Sequence, residues 1–277
     1  MIKIILGCTL ITLCFCAYGV DMSALTSASS FECLLLSNHT FMIARAYHSY
    51  GGIDVNAPKT ISNAINAGYL EANVGVYMFP CYSQTHKPED QVAEMLKGLS
   101  DSRYSSIWID METNTSPNCG WSQNYDSNCA FTQALVAAAQ KSGKKVGIYA
   151  SIHMWNVIMG GTDRCLHFSN LPLWYAHYDG VASFSDFQSF GGWKEPSIKQ
   201  YKGTTSLCSA SVDLSWKKWF YIKNQESYIR EILFCFFLWK DWIAKPSLIS
   251  KNRIMMKKNK PKKPELVEER KNYLFTG

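Results

Sequence analysis

Apolar and polar positions follow two rhythms along most of this chain. Runs rich in Val, Ile, Tyr, Phe and Trp, bounded by polar, Gly or Pro residues, recur eight times: GVDMS (19–23), FMIARAYH (41–48), VGVYMFPC (74–81), SSIWIDME (105–112), VGIYAS (146–151), LPLWYAHY (171–178), SIKQYKG (197–203) and SVDLS (211–215). That composition predicts strands. Between the first six lie stretches with helical spacing: SASSFECLLLSN, PKTISNAINAGYL, KPEDQVAEMLKGLSD, SNCAFTQALVAAAQKSG and HMWNVIMGG. Pro88 followed by Glu89 and Asp90 is a helix start, since proline fits the first turn and acids favour the positive end of the helix dipole, and Lys141-Ser142-Gly143 is a stop. Such alternation implies parallel strands joined by right-handed crossovers, and eight of them suffice to close a barrel. The expected architecture is α/β, a single TIM-like barrel of eight strands and about five helices, with loops in place of helices between the last three strands. No internal repeat is visible.

With 277 residues, 47% hydrophobic and 14% aromatic, the chain can fill the core of one large domain. Its first residues, MIKIILGCTLITLCFCAYG, carry Lys3, then an apolar run, then small residues at Ala17 and Gly19. This pattern predicts a secretory signal over residues 1–19, cut after Gly19 or Ala17. The apolar run is only about 14 residues against the roughly 20 needed to span a bilayer.

The net charge of +6 conceals a split. Residues 217–277 hold 15 Lys/Arg and 6 Asp/Glu, whereas residues 1–216 hold 13 and 16. The expected division is therefore an acidic barrel domain over 20–220 and a basic extension over 221–277 with the composition of a solvated, disordered tail. No nucleic-acid partner follows from a basic balance confined to such a tail. Its apolar run ILFCFFLW (232–239) is too short to cross a membrane as a helix, so stable insertion is not expected.

A signal changes how the cysteines read. Cys8, Cys14 and Cys16 leave with it, and Cys33, Cys81, Cys119, Cys129, Cys165 and Cys208 remain in the domain, with Cys235 beyond. An even set in an oxidising compartment reads as disulfides. Cys119 and Cys129 flank GWSQNYDSN and are the expected partners; spacing leaves the other pairings open. There is no C-x-x-C pair, and only His86 and His167 lie near cysteines, so no metal site is expected. Asn38-His39-Thr40 and Asn114-Thr115-Ser116 are N-glycosylation triplets.

In a barrel of this type the site lies at the C-terminal strand ends, where this sequence places Asp21, Asp110, Glu112 and Asp213. Asp21 could instead cap the first helix, as could Ser23 or Thr26, and Asp213 could cap a turn. Asp110 and Glu112 flank Met111 and share a face if the strand persists. Two acids side by side after an apolar run repel one another and lose hydration. Glycoside hydrolysis requires such a pair, one carboxyl to protonate the departing oxygen and another group to stabilise the oxocarbenium-like centre. Repulsion raises one pKa, which suits Glu112 at the strand tip as proton donor, while Asp110 stays ionised. Tyr47, Tyr77, Tyr149, Trp174, Tyr175, Tyr178 and Tyr201 offer faces on which sugars stack, although roughly half should serve the core. Arg45, within a strand, needs an anionic partner, and Asp21 or Asp110 would serve.

GVDMS, RAYHSYG, VYMFP, IWIDMETN, GIYAS, LWYAHYD, KQYKG and VDLSW, in that order from about Val20 to about Trp216, resemble the glycoside hydrolase family 25 lysozymes, the Chalaropsis-type muramidases, and in particular their secreted eukaryotic branch. The resemblance implies a flattened barrel of eight strands and five helices. It implies an N-acetylmuramidase that cuts the β-1,4 bond between N-acetylmuramic acid and N-acetylglucosamine, without metal or cofactor. Its partner would be the glycan strand of bacterial peptidoglycan. Glu112 would then be the general acid and Asp110 would steady the oxazolinium nitrogen formed by the substrate's own acetamido group, with Asp21 and Asp213 completing the acidic cluster. Arg45, Tyr77, Tyr149, Trp174, Tyr175 and Tyr201 are the expected substrate-binding residues. The setting implied is a secreted monomer, or one in a lysosome-like or phagosomal lumen, used in digestion or antibacterial defence. A non-catalytic glycan-binding protein and a chitin hydrolase are the alternatives. Family members usually end soon after the last-strand V-D motif, so the extension from about residue 221 departs from the pattern.

Overall fold

Nine strands and five α-helices make up residues 11–83 and 85–223, which the computed structural model describes. In chain order they are β1 (Ile11–Met22), α1 (Ala28–Leu36), β2 (His39–His48), β3 (Gly52–Ile53), α2 (Ala57–Asn66), β4 (Val74–Met78), α3 (Pro88–Gly98), β5 (Ser106–Asp110), α4 (Tyr125–Gln140), β6 (Lys145–Ala150), α5 (Ile152–Met159), β7 (Leu173–Ala176), β8 (Ile198–Leu207) and β9 (Ala210–Lys223). The sheet order is β1-β9-β8-β7-β6-β5-β4-β2-β3, and β1 also pairs with β2, which closes eight strands into a barrel. All eight expected strands and all five helices are present.

Three features differ from the expectation. β3 is a two-residue strand that folds back on β2, Tyr47 facing Ile53, and is too short to leave a periodic signal. β9 runs antiparallel to β8, so the barrel is mixed. The cause is the two-residue connection Cys208-Ser209, both at positive φ (55° and 60°), a tight hairpin turn with no room for a crossover. Finally, β1 begins at Ile11, inside the stretch read as a signal, because ITLCFCAY has strand composition as well as signal composition. β9 likewise continues past residue 220. The rest of the expected signal and of the basic extension, with ILFCFFLW and Cys235, lies outside the described residues.

Local sequence explains the helix ends. Ser27 caps α1, its hydroxyl accepting the Ser30 N–H at 3.1 Å, so Asp21 is not used as that cap. α3 starts at Pro88 with Glu89 and Asp90 in its first turn, and α5 stops at Gly160 in the left-handed conformation (φ 78°).

Strand alternation divides the buried side chains into two sets. Ile107, Ile109 and Met111 join Phe31, Leu135 and Trp155 in the layer between strands and helices. Phe41, Ile43, Trp108, Tyr149, Trp174 and Ile198 fill the barrel interior. Gly147 pairs with Trp108 across β5 and β6, and the Trp108 ring occupies the space a side chain there would need.

The disulfides are Cys33–Cys208, Cys81–Cys119 and Cys129–Cys165. The expected Cys119–Cys129 pair is therefore incorrect. Cys119 lies beside the segment after β4, whereas Cys129 sits on α4 and meets the segment after α5. Asn114 is also not a glycan acceptor in this fold. It is 9% exposed, and its amide nitrogen donates to Ser49 O (2.6 Å) and Pro80 O (3.0 Å) while its oxygen accepts the Ser116 N–H (2.8 Å). Asn38 is exposed, at φ 64° in the turn between α1 and β2.

Candidate active site

The inward-facing rows of the strands end in a polar cleft at the C-terminal side of the parallel strands. Asp21 comes from β1, Tyr77 from β4, Asp110 from β5, Tyr149 from β6, Trp174 from β7, Gln200 from β8 and Asp213 from β9; Glu112 and Tyr178 follow β5 and β7. All four acids singled out in the sequence thus share one cleft. A larger apolar cavity of about 210 Å³ opens at the opposite end of the barrel beside Phe41, Trp108 and Lys217. Among the described residues no acid stands in its wall, so it offers no carboxyl for acid–base chemistry.

Among the described residues no Lys or Arg lines the acidic cleft, and every carboxyl there is pushed upward. Burial raises Asp21 well above the usual carboxylate range, helped by the Asp213 charge and opposed by a hydrogen bond from Gln200. Burial does the same to Asp110, with Glu112 and then Asp21 adding to it. Glu112 is raised by burial and by the Asp213 charge. Asp213 is raised by burial, against the pull of the Thr204 N–H that it accepts at 2.6 Å. Four carboxyls gathered in one buried cleft each oppose the ionisation of the others. The upward push that the sequence assigns to Glu112 alone thus falls on Asp110 as well, by burial first in both. Asp110 is 4% exposed, its desolvation opposes charge, and its Oδ1, like Asp21 Oδ1, has no hydrogen-bond partner.

The sequence reading overlooked two residues. Gln200 donates to Asp21 Oδ2 (2.9 Å) and Asp213 Oδ2 (3.2 Å), and its oxygen accepts from Tyr149 Oη (2.6 Å) and Tyr178 Oη (2.8 Å). Trp121, in the β5–α4 loop, donates its indole N–H to Glu112 O at 2.7 Å. The available signal for Gln200 was its place two residues after Ile198 in β8, which makes it an inward-facing amide that must find partners.

Of the six expected substrate-binding residues, Tyr77, Tyr149 and Trp174 line the cleft. Arg45 does not pair with Asp21 or Asp110. Its Nε donates to Asp54 Oδ2 at 2.9 Å and its Nη2 to Ser23 O at 2.8 Å, because the β2–β3 hairpin brings Asp54 back beside it. Tyr175 faces away from the cleft, packs on Phe187 and donates to Asp186 Oδ2 at 3.2 Å. Tyr201 sits where the β8–β9 register slips and is not part of the cleft wall. Both tyrosines follow an inward-facing neighbour, and alternation turns them outward. Outside the cleft, His177, Asp179 and Asp186 are spaced as metal ligands could be, but the buried Lys199 ammonium lies 2.7 Å from each aspartate and already pairs with both.

A family model described as "Lysozyme-like protein 1" matches residues 12–201. The chain is 41% identical over 200 residues to "Probable GH family 25 lysozyme 2" of Dictyostelium discoideum, covering 72% of this chain and 89% of that one. Its fold is similar to that of a family GH25 lysozyme from Aspergillus fumigatus, with 20% identity, a TM-score of 0.59, and coverage of 78% of this chain and 98% of that one. It is also similar to the modular autolysin LytC from Streptococcus pneumoniae, solved in complex with a synthetic peptidoglycan ligand, with 13% identity, a TM-score of 0.58, and coverage of 74% and 47%.

Proposed function

We propose, since the chain belongs to the glycoside hydrolase family 25 lysozymes, that it is an N-acetylmuramidase acting on the β-1,4 bond between N-acetylmuramic acid and N-acetylglucosamine of peptidoglycan. The observation that carries this reading is Glu112, held at the cleft edge next to Asp110 with its carboxyl raised by burial and by Asp213. A carboxyl kept protonated above its usual range is suited to give its proton to the glycosidic oxygen as the bond from that oxygen to the anomeric carbon breaks. The substrate's acetamido carbonyl oxygen attacks the anomeric carbon and gives an oxazolinium ion, one of the recognised alternatives to a protein nucleophile. Water then adds to the anomeric carbon as its bond to the acetamido oxygen breaks and the acetamido group is restored, and the Glu112 carboxylate takes up the water's proton.

Asp110 Oδ1, buried without a donor, is suited to accept the acetamido N–H as positive charge builds on that nitrogen. An ionised Asp110 is then favoured by the substrate itself. Tyr77, Tyr149, Trp174 and Tyr178 surround the acids with aromatic surface for the sugar. Three disulfides fit secretion or an oxidising luminal compartment.

The test is a cell-wall clearing assay with release of reducing ends. The purified protein should clear the suspension, and Glu112→Gln should lose about three orders of magnitude of that activity or more. Clearing by Glu112→Gln at the wild-type rate removes Glu112 from its role. Binding without reducing-end release by the wild type would replace hydrolysis with glycan recognition.

A further inference from the structure

One side chain connects the two halves of the cleft. Gln200 is 2% exposed, and both of its amide hydrogens and both lone pairs of its oxygen are engaged, by two carboxylates on one side and two tyrosyl hydroxyls on the other. In this orientation the amide hydrogens meet the two aspartates, and turning it over would set its oxygen against whichever of them is ionised. We propose that Gln200 is a positioning residue for the hydrolysis described above, dividing the proton load among the acids and setting Tyr149 and Tyr178 as hydrogen-bond acceptors toward the substrate. This inference rests on the muramidase reading.

Two consequences follow from those four bonds. Donation to a carboxylate favours its ionised form, so Gln200 supports charge on Asp21 and Asp213 where burial opposes it. The Asp213 charge in turn raises Glu112, so the amide helps keep the proton donor protonated without touching it. On the other side, burial raises the Tyr149 hydroxyl well above its ordinary range and pushes Tyr178 up to about 12, so both keep their hydrogens. Each gives its single hydrogen to Gln200 and presents only lone pairs to the cleft. Groups of the substrate that meet these oxygens must be donors, a sugar hydroxyl or an amide N–H. A carbonyl or carboxylate placed there is rejected.

The experiment compares wild type, Gln200→Leu and Gln200→Glu for kcat and KM on solubilised glycan strands across pH. Thermal melting identifies folded variants, and the carboxyl infrared bands of substrate-free protein are titrated alongside. Gln200→Leu should lower kcat by about 10- to 100-fold. Its pH profile should narrow from both sides, because Asp21 and Asp213 ionise at higher pH and Glu112 loses its proton at lower pH. Gln200→Glu can imitate the amide only while protonated, keeping a carbonyl for the tyrosines and one O–H for an aspartate. It should therefore recover activity on the acid side alone. A fall in kcat with both limbs unmoved in Gln200→Leu, or a Gln200→Glu profile with the wild-type shape, would overturn the proposal. An inactive wild type would defeat the muramidase reading, and the infrared titration still decides the role of Gln200: carboxyl ionisation unchanged in a folded Gln200→Leu refutes it. If Gln200→Leu gives no cooperative melt, the near-isosteric Gln200→Glu carries the test.

Discussion

Trp121 donates its indole N–H to the backbone oxygen of Glu112 at 2.7 Å, which anchors the proposed proton donor from behind. Trp121 itself packs against Tyr82 and Phe131. In Trp121→Phe the ring contacts remain and the hydrogen bond is lost. The expected cost is about 1 kcal/mol of stability and, from misplacement of Glu112, a fall in kcat of roughly tenfold with KM little changed. Denaturant unfolding and steady-state kinetics on one preparation measure both.

Glu112 is raised by burial first and by Asp213 second, so its proton persists above the usual carboxylate range and is lost as pH rises through the raised value. In the proposed mechanism that loss should set the alkaline limb of the rate profile. Asp213→Asn removes the neighbouring charge and should move the limb to lower pH. A limb that stays in place would show that burial alone tunes Glu112.

Asp110 is raised by burial and by two neighbouring acids. A folded-state value above the unfolded one means that folding favours the protonated acid. The associated stability is fully present below the unfolded value of about 3.9 and is lost as pH rises through the folded one. Asp110→Asn should therefore melt higher than wild type at pH 7, by a few degrees per kcal/mol relieved, and by much less at about pH 3, while activity is lost at both. Calorimetry at the two pH values reads the difference, and equal shifts at both would contradict the burial argument.

The Cys33–Cys208 bridge spans 175 residues and joins α1 to the β8–β9 turn. In the chain-entropy picture a loop of that length is worth roughly 5 kcal/mol. Replacing both cysteines with serine should lower the melting temperature by more than ten degrees, about what that free energy implies for a domain of this size. A non-reducing peptide map should recover Cys81 linked to Cys119 and Cys129 linked to Cys165.

The sequence displayed whatever depends on period and order. Ile107, Trp108, Ile109 and Asp110 alternate strictly, and that alternation placed Trp108 and Asp110 on one face and Ile107 and Ile109 on the other. Relations made by a turn or a long-range approach left no such trace. Arg45 meets Asp54 only because two residues of β3 fold back on β2. Cys119 meets Cys81 because two loops at the barrel mouth converge. Tyr175 and Tyr201 were grouped with the cleft by composition, although each sits beside a residue that takes the inward place, Trp174 and Gln200. The hairpin at Cys208-Ser209 needs positive φ at residues not known for it, so the reversal of β9 was hidden as well.

Asn114 spends its whole amide on Ser49, Pro80 and Ser116, joining the loops that follow β2, β4 and β5. In a secretory compartment the same nitrogen is a target for oligosaccharide transfer while the chain is still being made. A carbohydrate installed there would remove those bonds and leave the three loops to the Cys81–Cys119 disulfide and the contact between the Ser49 and Ser116 hydroxyls at 2.9 Å. Glycan attachment and this junction of loops are therefore mutually exclusive uses of one nitrogen, and whichever claims it first shuts the other out.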